Sequence, residues 1–192
     1  MSYEVPIGIS NKHIHLSKKD LEVLFGDGCE LTLKKPLAQP GQFASEEKVD
    51  VVGPKKTISG VRILGPVRAH TQVELAMTDA RSIGLKDVPI RESGKLDGTP
   101  GCKLVGPKGE IELEDGVIIA KRHVHLGTKD AEEAGVENGE IVSLRIEGER
   151  ALTLDELVVR VNEKFIPEVH LDTDEGNAAA LSQNAKGTII KK

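Results

Sequence analysis

The chain has 192 residues, enough for one large domain or two small ones. With 26 basic and 31 acidic residues, a net charge of −5, 2% aromatics and no tryptophan, it lacks the positive field and the stacking platforms of a nucleic-acid-binding protein. Two cysteines cannot form a disulfide framework, no apolar run is as long as a membrane span, and the first residues lack a signal-peptide pattern, so we expect a soluble intracellular protein.

Short runs rich in Val and Ile, separated by turns containing Gly and Pro, dominate the chain and predict strands. In chain order these runs are 5–9, 30–33, 49–52, 57–64, 88–90, 116–120, 141–146, 157–161 and 188–190. Helical patterns are brief: a capped start at 17–20, then 72–82, 128–134 and 175–182. The chain is therefore predicted to be mainly β, with two small β-barrel domains and short capping helices, and with a boundary within 94–116.

One unit of sequence occurs twice. His13-Ile14-His15-Leu16 recurs as His123-Val124-His125-Leu126, and Val73-Glu74-Leu75 downstream corresponds to Val169-His170-Leu171. Five of the six histidines fall on these matching positions. The two barrels are therefore predicted to be related by an internal repeat.

The repeated histidines have the spacing of metal ligands. Residues i and i+2 of an extended segment point to the same face, so each His-x-His pair can hold one ion. The repeat supplies a third ligand to each pair, Glu74 to the first and His170 to the second. Three protein ligands with an open coordination position are typical of catalytic zinc. We therefore predict two zinc sites per chain, formed by His13, His15 and Glu74 and by His123, His125 and His170.

Other interpretations of the histidines remain open. A single His-x-His pair can be incidental on a strand, although two aligned copies disfavour this. A structural zinc usually has four ligands, commonly including cysteine, whereas Cys29 and Cys102 have no repeat partner and suit small buried hydrophobes. Cobalt, nickel and iron accept the same ligands as zinc.

Arginines precede each third ligand. Arg68 lies in a Gly-Pro turn shortly before Glu74, and Arg160 precedes His170. The planar guanidinium matches two oxygens of an anion such as phosphate, so both are candidate anion ligands. Ser93 and Arg91 could add a contact to an oxyanion, but a simple turn explains their spacing equally well. His70 has no repeat counterpart and is expected at the surface or behind a ligand.

The chain resembles the phosphate propanoyltransferase family, the propanediol-utilisation type of phosphotransacylase. The resemblance covers most of the chain in order. It runs from 5–17 through Gln39-Pro40-Gly41-Gln42-Phe43-Ala44, Gly65-Pro66-x-Arg68-x-x-Thr71-Gln72-Val73-Glu74, Arg91-x-Ser93-Gly94, Lys121-Arg122-His123-Val124-His125 and Val169-His170-Leu171-Asp172-Thr173-Asp174-Glu175-x-Asn177-Ala178.

This resemblance implies an enzyme that transfers a short acyl group, propanoyl or acetyl, between coenzyme A and inorganic phosphate. It also implies interleaved barrels, 1–11 with 120–192 and 12–119, with an active site between them. The six predicted ligands would hold two zinc ions, and Arg68, Ser93 and Arg160 would contact phosphate. Acyl-CoA and phosphate are the expected partners, with no nucleic acid or membrane, and a homodimer is compatible with the sequence.

The chemistry requires an oriented phosphate and a polarised thioester carbonyl. Two metals with open positions could serve as template and Lewis acid, while the arginines neutralise phosphate. We expect direct attack by phosphate without a covalent acyl-enzyme. Family members packed into bacterial microcompartments carry an amphipathic extension before the first strand. Here the first strand begins within a few residues of Met1, which favours a cytoplasmic location.

Two rival functions deserve a test. Amidohydrolase barrels also begin with His-x-His, but they need about 250 residues in a (β/α)₈ fold. A cupin-like double barrel could bind a metal or an anion without catalysis, but it would carry a glutamate a few residues after the histidine pair. Turnover of an acyl-CoA with phosphate separates the transferase from both.

Overall fold

A computed structural model of the chain describes residues 3–182 and 184–191. Over these ranges the fold is mainly β, with fifteen strands and four short helices. The strands are β1 (Tyr3–Ser10), β2 (His13–His15), β3 (Leu33–Pro36), β4 (Phe43–Val52), β5 (Thr57–Gly65), β6 (Gln72–Leu75), β7 (Ile90–Arg91), β8 (Lys103–Val105), β9 (Glu110–Glu112), β10 (Val117–Ala120), β11 (His123–Leu126), β12 (Ile141–Ile146), β13 (Leu152–Val161), β14 (Glu168–Asp172) and β15 (Lys186–Ile190).

The helices are α1 (Lys18–Phe25), α2 (Met77–Ser82), α3 (Thr128–Ala134) and α4 (Thr173–Ala178). Each of them directly follows a strand that carries candidate metal ligands. The Ser17 hydroxyl caps α1 by accepting a hydrogen bond from the Asp20 N–H, as its sequence predicts. In the described residues, no helix has the length and apolar character needed to cross a membrane.

The chain divides into two compact units. The first contains the described residues of Met1–Asn11, Ala38–Pro40 and Lys121–Lys192, and the second contains Lys12–Leu37 and Gly41–Ala120. The short segment Ala38–Pro40, between β3 and β4, thus belongs to the first unit. There the Gln39 side chain bonds the Ile166 backbone, accepting from its N–H at 3.3 Å and donating to its carbonyl at 2.9 Å.

The first unit is a closed barrel of strands in the order β1-β14-β11-β13-β12-β15. It closes because β15 pairs antiparallel with β1 as well as with β12. Alternate residues along the strands point inward, which fills the barrel with aliphatic side chains. Its core includes Val5, Val124, Leu126, Val142, Leu144, Leu157, Val159, Val169 and Ile189.

The second unit is a curled half-barrel. Its sheet runs β7-β10-β6-β2-β5-β4-β8-β9, with β3 paired to β4. Side chains of α1 and α2 complete a core that includes Ile14, Leu16, Leu21, Leu24, Val51, Ile63, Val73, Leu75, Ala80, Leu104 and Val117. A barrel and a half-barrel with short helices confirm the predicted fold class.

The internal repeat is visible in the strand pairing. In the second unit, β2 pairs parallel with β5 and antiparallel with β6, and β10 pairs parallel with β6. In the first unit, β11 pairs in the same way with β13 and β14, and β1 pairs parallel with β14. The strand preceding each His-x-His strand therefore pairs with the third-ligand strand of the other repeat.

The two strands that carry the third ligands differ from the sequence-based prediction. The predicted helix over 72–82 is wrong at its start, because β6 occupies Gln72–Leu75 and α2 begins only at Met77. The other strand, β14 at Glu168–Asp172, was not predicted at all. Each is paired on both sides, so the hydrogen bonds and packing of its neighbours outweigh the local preference of a short segment.

Candidate metal centres and active site

Strand register places the two His-x-His pairs against their third ligands. Across β2 and β6, His13 lies opposite Glu74. Across β11 and β14, His123 lies opposite His170. Directly opposed residues on antiparallel strands have close Cβ atoms, and the second histidine of each pair lies on the same face two residues on. The pairing of strands distant in sequence thus assembles two groups of three ligand-type side chains.

The first group contains His13, His15 and Glu74. Their potential ligand atoms lie within 4.8 Å of one another. The Nε2 atoms of His13 and His15 are 3.4 and 3.8 Å from the Glu74 carboxylate. All three residues are at least 91% buried, since their exposed fractions are 7%, 3% and 9%. Such burial is costly for a carboxylate unless cations or donors compensate for the lost water.

Charges and burial favour the protonation states of His15 and Glu74 that can bind a metal. Burial, followed by the charges of His13 and Arg68, lowers the pKa of His15 to about 3. For Glu74, burial acts to raise the pKa, but His13, His15 and Arg68 together lower it well below its usual range. His15 is therefore neutral and Glu74 ionised near pH 7, as metal ligands must be.

The second group contains His123, His125 and His170. The His125 ring centroid is 4.8 Å from that of His123 and 4.7 Å from that of His170, and their ligand atoms also lie within 4.8 Å. Burial, then the charges of His123 and His170, lowers the pKa of His125 to about 3. The ring of Phe165 packs against His125 at 4.4 Å between centroids, an apolar contact that sequence reasoning did not identify.

The hydrogen bonds of the histidines fit metal binding. In the part of the chain that the structure describes, two buried side-chain nitrogens lack a hydrogen-bond partner: Nδ1 of His15 and Nδ1 of His125. They occupy the same position in the two repeats. A buried polar atom without a partner is costly, and a metal ion would satisfy it. The Nδ1 atom of His123 contacts the Lys121 carbonyl at 2.9 Å, so it carries the proton and leaves Nε2 available as a ligand.

The predicted anion ligands lie beside these groups. Arg68 donates from Nη1 to the Ser93 hydroxyl at 2.8 Å, and Ser93 donates to Glu74 at 3.1 Å. The structure thus brings Arg68 and Ser93 together at the first group. Arg160 lies opposite His125 in the β11–β13 pairing, and its charge contributes to the lowered pKa of His125. Arg68 therefore lies beside the first histidine group, and Arg160 lies beside the second.

Two other candidates are not part of this arrangement. Arg91 is exposed on β7, and its Nη1 bonds the carbonyl of the adjacent Ile90. Arg91 therefore lies on a strand and not in a turn, whereas Ser93 joins the first group. His70 is exposed, in agreement with the expectation of a surface position.

Gln72 and Glu168 are functional candidates that sequence reasoning missed. Gln72 donates to Glu74 at 2.5 Å, and Glu168 contacts Nε2 of His170 at 2.8 Å. Each lies two residues before a third ligand, so the two-residue period of a strand could have identified them. That signal was hidden because β6 was predicted to be helical and β14 was not predicted.

Comparison with known proteins identifies the class. A family model described as phosphate propanoyltransferase matches residues 6–182. A phosphate propanoyltransferase from Thermotoga maritima is 54% identical, over 92% of this chain and 84% of the relative. Relatives of the same name from Alkaliphilus metalliredigens and Levilactobacillus brevis are each 49% identical, over 98% and 97% of this chain and 88% and 89% of their own.

These matches define an enzyme of the acyltransferase class. The chain belongs to the phosphate propanoyltransferase family.

Proposed function

We propose that this protein interconverts a short-chain acyl-CoA and inorganic phosphate with an acyl phosphate and free coenzyme A. Propanoyl-CoA and acetyl-CoA are the candidate substrates. The observation that carries the proposal is the placement of one arginine beside each histidine group, in a chain that belongs to a family named for phosphate and propanoyl transfer.

The two groups are proposed to hold zinc. His13, His15 and Glu74 would bind one ion, and His123, His125 and His170 the other. The buried Nδ1 atoms of His15 and His125 support this assignment, since neither has a hydrogen-bond partner among the described residues. Bound zinc ions with open positions would supply Lewis acidity and a template for oxygen ligands.

Arg68, Ser93 and Arg160 are proposed to bind phosphate. Phosphate carries negative charge that would otherwise repel an attacking or leaving anion. A guanidinium neutralises that charge and bonds two oxygens at once. Arg68 is half-buried and held by Ser93, so its guanidinium is already oriented before phosphate binds. Such preorganised donors stabilise the transition state because they need no rearrangement during the reaction.

The proposed reaction is direct. A phosphate oxygen forms a bond to the thioester carbonyl carbon, and the carbon–sulfur bond breaks to release the coenzyme A thiolate. The cysteines are unsuited to form a covalent intermediate. Burial and Glu112 raise the pKa of the Cys102 thiol to about 12, and burial with Glu47 raises that of Cys29. A thiol with a raised pKa is a poor nucleophile, which supports attack by phosphate itself.

A coenzyme A release assay tests this function. We expect thiol release from propanoyl-CoA or acetyl-CoA that depends on phosphate and yields one acyl phosphate per thiol. A series of acyl-CoAs of increasing length would define the acyl preference. Release that proceeds equally without phosphate would indicate a hydrolase, and metal binding without any release would indicate a binding protein; either result contradicts the proposal.

A further inference from the structure

Gln72 and Glu168 occupy the same place in the two repeats. Each lies two residues before the third ligand of its group, on β6 and β14 respectively. The ligand changes from Glu74 to His170 between the repeats, and the residue before it changes from an amide to a carboxylate. We propose that Gln72 and Glu168 are positioning residues for their third ligands. Gln72 donates a hydrogen bond to Glu74, whereas Glu168 accepts one from His170, so each side chain suits only its own ligand. This inference rests on the proposed metal sites.

In the first group, the polarity of Gln72 is determined by its neighbours. The Gly94 N–H donates to Gln72 Oε1 at 2.7 Å, so the opposite side of the amide must be its NH₂ group. That NH₂ donates to Glu74 Oε1 at 2.5 Å and to the Ser93 hydroxyl at 2.8 Å. Gln72 is only 1% exposed, so water cannot readily replace these bonds.

Ser93, like Gln72, donates a hydrogen bond to Glu74. Its hydroxyl accepts from Gln72 and from Arg68, so its single proton is directed to Glu74 Oε1 at 3.1 Å. Glu74 Oε1 therefore receives two donors, while Oε2 faces Nε2 of His13 at 3.4 Å. This arrangement leaves Oε2 as the oxygen available to an ion.

The second group has the opposite polarity. Glu168 Oε2 lies 2.8 Å from Nε2 of His170, and a carboxylate only accepts, so Nε2 carries the proton. The Nδ1 atom of His170 is then the one left for an ion. A carboxylate behind a metal-binding histidine fixes its tautomer and ring orientation.

The strand next to β14 makes room for Glu168. Gly8 pairs with His170, and a Cβ atom on Gly8 would lie 3.0 Å from both Cδ and Oε1 of Glu168. At the equivalent place in the other unit, buried Ile118 pairs with Glu74. Glycine therefore occurs in the unit whose third ligand has a carboxylate beside it. This supports a specific role for Glu168 at that position.

If donor and acceptor must match, replacing either Gln72 or Glu74 alone should weaken metal binding at the first group. In Gln72→Glu, two carboxylates would face each other. In Glu74→His, the imidazole N–H would meet the Gln72 NH₂, whose direction Gly94 holds. The double variant Gln72→Glu with Glu74→His would recreate the Glu168–His170 pair in the first group, so it should bind an ion again.

The test is metal binding by the full chain, with zinc content, zinc affinity in competition with a chelating dye, and cobalt(II) absorption spectra. We expect two ions in the wild type, one tight ion in either single variant, and two in the double variant. The first site of each single variant should be about 10- to 100-fold weaker. The unaltered second group is the internal control, and thermal unfolding of each variant confirms that it is folded.

A second, independent variant is Gly8→Ala, which displaces the Glu168 carboxylate without changing a ligand. We expect weaker binding at the second group only. A double variant no better than the weaker single, together with full affinity in Gly8→Ala, would overturn the inference. A wild type that binds fewer than two ions would instead contradict the metal sites themselves, so the two failures are distinguishable.

Discussion

Arg68 is the residue proposed to link the first histidine group to a phosphate anion. Its backbone N–H donates to the Leu16 carbonyl at 2.9 Å, and its guanidinium donates to Ser93 at 2.8 Å. The backbone bond ties the turn after β5 to the end of the β2 segment, so the side chain leaves from a fixed point. A lysine at this place would keep the charge but lose the planar fork.

We therefore expect Arg68→Lys to lower turnover by roughly a hundredfold, the scale of losing one preorganised transition-state donor. The apparent KM for phosphate should rise, and metal content should stay unchanged because Arg68 is not a proposed ligand. Steady-state kinetics with phosphate varied at saturating acyl-CoA measure both effects. Arg81→Lys, an exposed arginine in the last turn of α2, is the matched control. An unchanged phosphate dependence would show that Arg68 does not bind phosphate.

At the scale of elements, each ligand strand is joined to the helix that follows its partner strand. Lys12, directly before β2, pairs with Asp79 of α2 at 3.3 Å. Arg122, directly before β11, pairs with Glu175 of α4 at 2.6 Å. These pairs occupy equivalent positions of the repeat. Each pair holds the start of a His-x-His strand beside the helix that follows the third ligand. The histidine pair and the third ligand of a group are therefore restrained relative to each other.

The N-terminus of α4 is the most strongly capped of these junctions. The Asp172 side chain accepts from the Glu175 N–H at 2.9 Å, and the Glu175 side chain accepts from the Asp172 N–H at 3.0 Å. This reciprocal pair satisfies two backbone donors that the helix cannot satisfy itself. Since Asp172 lies two residues after His170, the cap also fixes the end of the ligand strand.

We expect Asp172→Ala to lower the free energy of unfolding by about 1 kcal/mol, the usual cost of a lost N-cap. Asp172→Asn keeps an oxygen acceptor at the cap and is the matched control, with a much smaller loss. Denaturant unfolding of metal-free protein measures both. If Asp172→Ala is as stable as Asp172→Asn, the cap contributes nothing to stability.

At the scale of the whole molecule, the buried histidines make stability depend on pH. His15 and His125 have pKa values of about 3 in the fold, below the ordinary value of 6.5. Between these values the unfolded chain binds more protons than the folded chain. Unfolding of the metal-free protein therefore becomes easier as the pH falls from about 6.5 towards 3, and this contribution is fully present above 6.5.

We expect the free energy of unfolding of metal-free protein to decline steadily as the pH falls through that window. His125→Asn removes one of the two groups and should flatten the decline. Chemical denaturation at a series of pH values, with metal removed and refolding verified, provides the measurement. A profile in which wild type and His125→Asn run parallel would show that His125 does not contribute to the pH dependence.

Many residues of the candidate site could be predicted from the sequence alone. The duplicated His-x-His frame identifies four ligand candidates, because a two-residue period on a strand is a local geometric rule. The repeated Val-x-Leu frame identifies Glu74 and His170, and the structure gathers all six into two groups. Composition and turn spacing likewise predict a mainly β fold, since these signals arise within short segments.

The tertiary structure decided the contacts between distant segments. The pairing of β1 with β14 and of β10 with β6, the bond of Arg68 to Ser93, and the opposite polarities of Gln72 and Glu168 all depend on strand register across many residues. A local pattern does not specify register, because hydrogen bonds and packing with partners elsewhere in the chain determine it. The same cause explains the error at β6, where pairing on both sides produced a strand from a segment predicted to be helical.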